Sequence, residues 1–334
     1  MDKVLKGVAI ALGLSGLSLV LFYSWATASS YPSQRYAEIL GYGDPLTQPD
    51  KDTFTVVSYN IGYLSGLTNN VAVGRSADLF ERNLQQAVQV LKDLDADFIA
   101  LQEIDLASKR SYQVNQVEAL AKALEMPVGA VNINWDKNYV PFPYWPPTAH
   151  FGRILSGQAI LSRYPIEKND RIVLEKVASR PFYYNAVYLD RLAQVTEVQI
   201  GGRSVMLINL HLEAFDNPTR LEQTKVVKDL AERYAQDYPV LLVGDFNSAV
   251  NRPEEGEVKT IELLAESAVL SPAIASDQRR DAAQATYPSD TPQYKLDYIF
   301  YTPATIAMVT ARVVTEAGQA SDHLPIAMTF RLRP

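Results

Sequence analysis

The chain of 334 residues has a net charge of −7, no cysteine and three histidines. Its length suffices for one large hydrophobic core, and its balance of apolar and charged residues is that of an ordinary globular protein. The absence of cysteine excludes disulfides, zinc–thiolate sites and a lipoprotein anchor. The acidic balance argues against a general nucleic-acid binder, which usually carries a basic face, although local basic patches remain compatible with it.

The N-terminal residues 1–28 differ in composition from the rest of the chain. Lys3 and Lys6 precede the uncharged, apolar residues 7–25, which as a helix would span about 28 Å, close to the thickness of a bilayer core. Positive charge before the span predicts an N-terminus inside and the remaining protein outside. A secretory signal cleaved after Ala28 is the alternative, and the retained anchor is favoured because the apolar stretch exceeds a typical signal core. The stretch has no polar face, which argues against a buried helix of a soluble protein.

The next elements follow in chain order. Residues 29–52 are rich in proline and glycine and are predicted to be a linker, and residues 53–334 are predicted to form one catalytic domain. Helices are predicted over residues 78–94, 112–124, 217–235 and 257–266, and a hairpin joined by Gly201-Gly202 over residues 192–212. Strands and helices interleave, which indicates an α/β fold. Residues 132–151 are crowded with aromatic residues and prolines and are predicted to be irregular, either as a packed loop or as a lip beside a membrane.

Polar or titratable residues stand at the ends of several predicted strands. The residues concerned stand at or next to the ends of apolar or β-branched runs. They are Asn60, Glu103, His211, Asp245 with Asn247, Asp297, and Asp322 with His323. Each one alone is more often a turn former or a helix cap. Strand ends converge at an edge of an α/β sheet, where ligands bind. Carboxylates gathered there would repel one another without a cation, and hard oxygen donors suit Mg²⁺ or Mn²⁺.

These residues occur in the order expected of a known superfamily. The motifs are Asn60, Leu-Gln-Glu103, Asn-Leu-His211, Gly-Asp245-Phe-Asn247, Leu-Asp297-Tyr and Ser-Asp322-His323, with residues 156–165 as a further similar strand. Together they resemble the endonuclease/exonuclease/phosphatase superfamily, which includes deoxyribonucleases, abasic-site endonucleases, neutral sphingomyelinases and inositol-polyphosphate 5-phosphatases. The resemblance covers roughly residues 53–333. It implies a four-layer α/β sandwich, two mixed β-sheets packed face to face with helices outside, in addition to the N-terminal transmembrane helix.

The resemblance also implies which residues bind metal. Glu103 and Asp322, with Asn60 nearby, are expected to hold one Mg²⁺ or Mn²⁺ ion. Asp245 and Asn247 are expected to position the attacking water and contact phosphate, or to bind a second ion. One ion and two ions are both compatible with this set of ligands.

The three histidines and one arginine complete the candidate site. His323 is the candidate general base and Asp297 the acid that orients its ring, while His211 would hydrogen-bond the phosphate or protonate the leaving oxygen. The two histidines could exchange these roles. Arg153 and His150 are candidate phosphate ligands, because a guanidinium matches a phosphate geometrically, and the alternative is that both only order a surface loop.

The sequence therefore predicts an exported, membrane-anchored, Mg²⁺-dependent phosphoesterase. A phosphodiester such as a lipid headgroup is favoured by the anchor, the acidic charge and the aromatic segment. The alternative enzyme is an extracytoplasmic nuclease acting on DNA or RNA, and the alternative of another class is a non-catalytic binding module that kept the fold. No motif decodes the loops 132–153 and 248–293, in which specificity is expected to lie, and a monomer is the default assembly.

Overall fold

The computed structural model describes residues 2–249, 252, 260–275 and 281–334, and within these ranges two β-sheets pack face to face. The strands are β1 (Ala37–Gly41), β2 (Phe54–Asn60), β3 (Phe98–Asp105), β4 (Val128–Val140), β5 (Gly152–Ser162), β6 (Ile166–Val173), β7 (Leu192–Ile200), β8 (Arg203–His211), β9 (Val240–Asp245), β10 (Ser271–Pro272), β11 (Asp297–Tyr301), β12 (Ile306–Val313) and β13 (Ile326–Leu332). The first sheet has the order β1-β4-β5-β3-β2-β13-β12, and the second has the order β10-β11-β9-β8-β7-β6. Each sheet contains one parallel pair, β2/β3 or β8/β9, among antiparallel neighbours, so both sheets are mixed.

Helices of the body of the protein pack outside the two sheets, whereas the N-terminal helix extends away from them. The helices are α1 (Asp2–Thr27), α2 (Ala77–Asp93), α3 (Gln116–Ala123), α4 (Phe182–Asn185), α5 (Asn217–Tyr234) and α6 (Thr260–Ala265). Phe80 of α2 belongs to the core of the first sheet, whereas Val227 of α5 packs on the second. Alternation along β8 explains the layers, since Leu207 faces the first sheet and Ile208 packs beneath α5. The predicted α/β sandwich of two mixed sheets with helices outside is confirmed.

The predicted helices begin and end at slightly different residues. The helix expected from residue 112 begins at Gln116, because the side chain of Asn115 accepts a hydrogen bond from the backbone N–H of Glu118 and caps it. The side chain of Asp216 caps α5 by the same kind of bond, accepting from the backbone N–H of Thr219. Part of the helix predicted over residues 257–266 lies outside the described residues, and the described part is α6.

Two segments predicted to be irregular contain strands. Part of the predicted linker, residues 29–52, forms β1 and pairs antiparallel with β4, Ile39 lying opposite Ala130. The first half of the predicted irregular segment 132–151 belongs to β4, so only residues 141–151 connect β4 to β5. The sequence pattern did not reveal these two strands because they depend on pairing with neighbouring strands, which a local residue pattern does not report.

The N-terminal helix α1 leaves the body of the protein. Among its described residues only Ala26 is buried, and the helix is long and apolar enough to cross a membrane by length and composition. Its last turn is fixed to β4: the Lys137 ammonium donates to the carbonyl of Thr27 (2.9 Å), and the Asn138 amide donates to the carbonyl of Trp25 (3.0 Å). The helix is thus attached to the first sheet at its C-terminal end.

Candidate active site

The strand ends of both sheets meet at one edge of the sandwich. Asn60 ends β2, His211 ends β8, and Asp245 ends the neighbouring β9. Asp297 begins β11 directly opposite Asp245 in the antiparallel β9/β11 pair. The amide nitrogen of Asn60 donates to Asp245 across the two sheets (3.0 Å). The folding of the sheets, rather than nearness in sequence, therefore assembles these side chains.

Glu103 enters the same edge through an irregularity in β3. The register between β3 and β5 shifts between Leu101 and Ile104, and Glu103 itself has a φ of 52°. Such a bulge re-aims the side chain, and a left-handed glutamate costs conformational energy that the surroundings must offset. Arg110 makes two hydrogen bonds, of 3.0 and 2.9 Å, with the carboxylate of the buried Asp105 next along the strand. This ion pair fixes the bulge that carries Glu103.

Two asparagine amides connect the carboxylates. The Nδ2 atom of Asn60 donates to Glu103 (3.2 Å) and to Asp245 (3.0 Å). The Nδ2 atom of Asn69 donates to the other oxygen of Glu103 (3.2 Å) and to Asp322 (3.3 Å). Three carboxylates are thereby held together with amide donors as their hydrogen-bond partners. Sequence reasoning missed Asn69, because it follows no strand and belongs to no recognised motif.

His323 forms a buried pair with Asp297. Its Nδ1 lies 2.9 Å from Oδ2 of Asp297, and its Nε2 lies 3.8 Å from Oδ2 of Asp245. Burial alone would lower the pKa of His323, but Asp297 and Asp245 together raise this pKa well above its usual value. The ring of Tyr287 packs at 4.9 Å from the imidazole. The imidazolium form is therefore favoured, with Asp297 fixing its orientation.

His211 has the opposite electrostatic character. Its Nε2 lies 3.6 Å from Asp245 and 3.9 Å from Glu103, and the side chain is buried. Burial and the positive charge of Arg191 lower the pKa of His211 well below its usual value, so the neutral ring is favoured. The two histidines of the site thus differ in charge.

Arg191 is a second residue that sequence reasoning missed. It lines the cleft next to His211, is only 4 % exposed, and donates to the hydroxyl of Tyr188 (3.1 Å). Its Nε lies 3.5 Å from Glu213, and neither Nε nor Nη1 has a hydrogen-bond partner among the described residues. A buried guanidinium with free donors at the wall of a cleft suits an anionic group. The only local signal was one arginine immediately before β7.

Burial raises the pKa values of two carboxyl groups in the cluster. The pKa of Asp245 is raised to about 7 and that of Asp322 to about 6, in each case chiefly by burial, with His323 acting in the opposite direction. The charges of Asp297 and Glu103 raise these pKa values further. Crowded, buried carboxyl groups of this kind gain from a bound cation, which favours their ionised forms.

The donor set fits a hard divalent cation. Glu103 and Asp322 offer carboxylate oxygens, and the Oδ1 atom of Asn69 is buried with no hydrogen-bond partner among the described residues. One atom each of Asp245, Asp297 and His323 also lie within 4.8 Å of one another, so that trio could hold an ion. The Nδ1 of His323, however, already bonds Asp297. The oxygen-rich side, with Glu103 and Asp322, is therefore the better match for Mg²⁺ or Mn²⁺.

The sequence-predicted residues fall into two groups. The structure brings together Asn60, Glu103, His211, Asp245, Asn247, Asp297, Asp322 and His323. Asn247 lines the cleft, and its side-chain amide donates to the carbonyl of Leu212 (3.0 Å). Arg153 and His150 do not join this group. Arg153 pairs with the buried Asp136 in the β4/β5 hairpin, and His150 bonds the Tyr139 hydroxyl (2.6 Å), so both order the hairpin and its connecting loop.

A cleft of about 900 Å³ opens over the cluster. Its lining includes the polar side chains of Glu103, His211, Asp245 and His323. It also includes these aromatic residues: Trp135, Phe142, Tyr144, Phe151, Tyr184, Tyr188 and Phe215. A volume of this size accommodates a small molecule or the headgroup of a larger substrate.

Comparison with known proteins agrees with this architecture. The model of the Endonuclease/Exonuclease/phosphatase family matches residues 57–323. A search of curated proteins found no match to the chain. An endonuclease/exonuclease/phosphatase from Beutenbergia cavernae is similar in structure, with a TM-score of 0.61 and 19% sequence identity, over 84% of this chain and 72% of that one.

Two further solved structures have the same fold at low identity. The human Nocturnin catalytic domain, with bound sulfate, has a TM-score of 0.57 and 16% identity over 91% of this chain and 100% of that one. A mannosyl-6-phosphatase from Bacteroides thetaiotaomicron has a TM-score of 0.55 and 18% identity over 84% of this chain and 100% of that one. The family match spans most of the chain and includes all eight clustered residues that motifs identified. The chain therefore belongs to the endonuclease/exonuclease/phosphatase family, whose members are metal-dependent hydrolases of phosphoric ester bonds.

Proposed function

We propose that the protein is an exported, membrane-anchored, Mg²⁺-dependent phosphoesterase that hydrolyses a phosphodiester by attack of water. One observation carries this proposal: the buried His323–Asp297 pair lies beside the carboxylates of Glu103, Asp322 and Asp245 in the cleft. A phosphoryl group at this cluster would meet cationic, neutral and acidic groups together. Phosphoester hydrolysis requires this combination.

Glu103, Asp322 and Asn60 would hold the ion, and Asp245 and Asn247 would hold a second ion or position water. When bound, the ion supplies charge neutralisation at a non-bridging phosphoryl oxygen and at the leaving oxygen. Arg191 would bind another phosphoryl oxygen through its free donors. These residues together would place the phosphorus atom close to Asp245.

The pKa directions favour a particular division of proton transfer. The pKa of Asp245 is near 7, which suits a group that accepts a proton from water at neutral pH. His323 has a raised pKa and would face the phosphoryl oxygens as a cation oriented by Asp297. His211, neutral and 3.6 Å from Asp245, would donate a hydrogen bond to the phosphate. His323 as the base remains the alternative.

The activity is tested with the purified full-length chain and a chromogenic phosphodiester, with Mg²⁺, with Mn²⁺ and with EDTA. We expect turnover that needs the added ion and is lost in Glu103→Gln and Asp322→Asn. In Asp245→Asn, the rise of the rate with pH should disappear if Asp245 is the base, whereas loss of that rise only in His323→Gln would assign the base to His323. Absence of turnover together with absence of Mg²⁺ binding would contradict the proposal and favour a non-catalytic binding module.

The class of substrate is tested with a panel of plasmid DNA, RNA, a sphingolipid and phosphoinositides. The net charge of −7 supports a substrate other than a long polyanion, because such a substrate would be repelled over most of the surface. Cleavage of plasmid DNA or RNA in preference to the lipids would replace the lipid-headgroup proposal with the extracytoplasmic nuclease.

Export and anchoring are proposed from α1 and its flanking charge. The helix has no buried residue before Ala26, and Lys3 and Lys6 precede its apolar part. Protease added outside intact cells should digest the catalytic domain, and N-terminal sequencing of the protein should distinguish the retained anchor from cleavage after Ala28. Protection of the domain in intact cells and digestion only after lysis would contradict export.

A further inference from the structure

Exposed aromatic side chains of the body of the protein occur in segments that line the cleft. Among the described residues outside α1, six aromatic side chains are at least 53 % exposed, namely Tyr112 and five others. The other five form what we call the aromatic rim: Tyr144, Trp145, Phe182, Tyr183 and Phe215. Tyr144 and Phe215 line the cleft, Trp145 follows Tyr144 in the chain, and Phe182 and Tyr183 precede the lining residue Tyr184. The surfaces of soluble proteins rarely expose aromatic side chains in such a group.

The aromatic rim is connected to the end of α1 by a short series of contacts. The rings of Phe22 and Trp25, in the last turns of α1, pack on Tyr139 at 5.8 and 6.4 Å. The hydroxyl of Tyr139 lies 2.6 Å from Nδ1 of His150, and Nε2 of His150 lies 3.1 Å from the carbonyl of Tyr144. One neutral tautomer of His150, with the proton on Nε2, satisfies both bonds. The loop that carries part of the rim is therefore braced against the helix.

The position of the rim follows from that of the helix. The last turn of a membrane-spanning helix lies at the interface between hydrocarbon and water, where Trp and Tyr side chains are enriched. Phe22, Trp25 and Tyr139 would occupy this level, and the contacts through His150 place Tyr144 and Trp145 close by on the same hairpin. Transfer of aromatic side chains from water into this interface lowers their free energy. With a net charge of −7, the protein has no overall electrostatic attraction to anionic surfaces.

We propose that the aromatic rim rests on the surface of the bilayer that holds α1, and that the cleft receives the phosphoester headgroup of an amphiphile directly from that bilayer. This inference rests on the proposed phosphoesterase and on α1 as its anchor. The aromatic side chains that line the cleft would cover the apolar part of the substrate nearest the headgroup, and the polar cluster would hold the phosphoryl group. His150, which does not line the cleft, supports the loop of the rim.

Spin labels on the full-length chain, reconstituted in phosphatidylcholine vesicles, test the position of the rim. The chain has no cysteine, so Trp145→Cys and Phe182→Cys each introduce a unique labelling site. Val309→Cys is the matched control, because Val309 is 47 % exposed on β12. This strand forms one edge of the first sheet, and β1 forms the other edge. We expect nitroxides at 145 and 182 to be more accessible to oxygen than to a water-soluble nickel complex, and the nitroxide at 309 to show the reverse. Aqueous behaviour at all three positions would overturn the inference.

Turnover measurements test whether the rim delivers substrate. The double variant Trp145→Ser/Phe182→Ser should lower the ratio of vesicle-borne to soluble phosphodiester turnover by about tenfold or more, because both exposed side chains lose their apolar contact with lipid. Val309→Ser should leave the ratio as in the wild type. The membrane contact should persist at high salt, in contrast to binding of a polyanion.

The remaining outcomes separate the inference from the proposed function. An unchanged ratio of vesicle-borne to soluble turnover, with Mg²⁺-dependent turnover of the soluble ester intact, would overturn the proposed role of the rim. It would not contradict the proposed phosphoesterase activity. A rim variant that loses salt-sensitive cleavage of single-stranded oligonucleotides but keeps the vesicle ratio would identify the rim as a surface on which bases stack, and would also overturn the inference. Absence of turnover of the soluble phosphodiester by the wild-type protein would contradict the proposed function itself.

Discussion

At the scale of single residues, one oxygen atom connects the acidic and basic parts of the cluster. Oδ2 of Asp245 lies 3.0 Å from the Asn60 amide, 3.6 Å from Nε2 of His211 and 3.8 Å from Nε2 of His323. A change of charge on this oxygen alters the electrostatic energy of both imidazole rings, because all these atoms are buried and poorly screened. The site is therefore one coupled electrostatic unit, and substitutions within it are expected to be non-additive.

Substitution of His323 should remove a large part of the activity. In His323→Ala we expect turnover of a soluble phosphodiester to fall by about 10²–10⁴-fold, because the variant loses an oriented group beside the phosphoryl site. Asp297→Asn keeps the imidazole but removes its charged partner, and it should give a smaller loss with a lowered His323 pKa, measured by NMR titration. Near-normal turnover in His323→Ala would exclude His323 from the mechanism.

Binding of Mg²⁺ should depend on pH in a defined direction. The pKa values of Asp245 and Asp322, about 7 and about 6, lie above those of the unfolded chain, so without metal the stability contributed by these groups is lost as pH rises through this range. The ionised forms bind the cation. The rise in melting temperature produced by Mg²⁺ should therefore be small at pH 5 and large at pH 8, as measured by calorimetry. An equal rise at both pH values would argue against these carboxylates as ligands.

Arg191 should contribute chiefly to substrate binding. In Arg191→Met we expect kcat/KM to fall by roughly 10–100-fold, the loss typical of a hydrogen bond to a charged group. Arg191→Lys keeps the charge but loses the planar donors, and it should recover only part of the loss. A loss in Arg191→Met confined to thermal stability, with unchanged kinetics in the folded fraction, would make Arg191 a structural partner of Glu213 only.

The motifs predicted the clustered residues because each one lies at or near the end of a strand of simple pattern. Glu103 and Asp245 terminate apolar runs, and sheet formation necessarily brings such ends to an edge. Asn69 and Arg191 have no such signal. Arg153 was a candidate phosphate ligand because a guanidinium matches a phosphate geometrically, with loop ordering as the alternative, and the buried carboxylate of Asp136 holds it in the hairpin. Pairing of this kind depends on which strands become neighbours, and no local pattern reports it.

At the scale of elements, a buried polar chain joins the two sheets. Oδ1 of Asn209, in β8, accepts from Gln102 of β3 (2.7 Å), and its Nδ2 donates to the carbonyl of Leu101 (3.1 Å) and to Gln194 of β7 (3.1 Å). All four residues are buried. Such bonds are possible only in one relative register of the sheets, so they fix the position of β8 and hence of His211 at its end.

Loss of this polar chain should destabilise the fold. Asn209→Leu removes the shortest hydrogen bond of the Gln102 amide and the bonds that Asn209 donates to Leu101 and Gln194, and we expect the free energy of unfolding to fall by about 2 kcal/mol. Gln85→Ala, at an exposed position of α2, is the control and should have little effect. Urea denaturation measures both changes. A cost in Asn209→Leu no larger than that of the control would show that the sheets are held by apolar contacts alone.

At the scale of the whole molecule, the chain between α1 and the first sheet is short and fixed. The backbone N–H groups of Ser30 and Tyr31 donate to one oxygen of Asp136 (3.1 and 2.8 Å), and the hydroxyl of Tyr36 donates to the same oxygen (2.9 Å). Arg153 pairs with the other oxygen. The prolines and glycines of residues 29–52 predicted a linker, and a carboxylate more than 100 residues away in the chain holds its first part against the domain.

Removal of this carboxylate should loosen the connection. In Asp136→Ala we expect trypsin to cut faster after the exposed Arg35, because the surrounding segment loses three hydrogen bonds to Asp136. Glu38→Ala, which removes an exposed ion pair with Arg35, is the matched control and should change the rate much less. Mass spectrometry of timed digests identifies the cut. Equal rates in the two variants would show that Asp136 does not restrain the segment.

The attachment of α1 at Thr27 and Trp25 has a mechanical consequence. With the helix embedded in a bilayer, the body of the protein cannot swing on a tether, so its catalytic face keeps a constant height and tilt above the lipid. Encounters with substrate then depend on lateral diffusion in two dimensions. Any force or lipid composition that tilts the helix would tilt the cleft by the same angle.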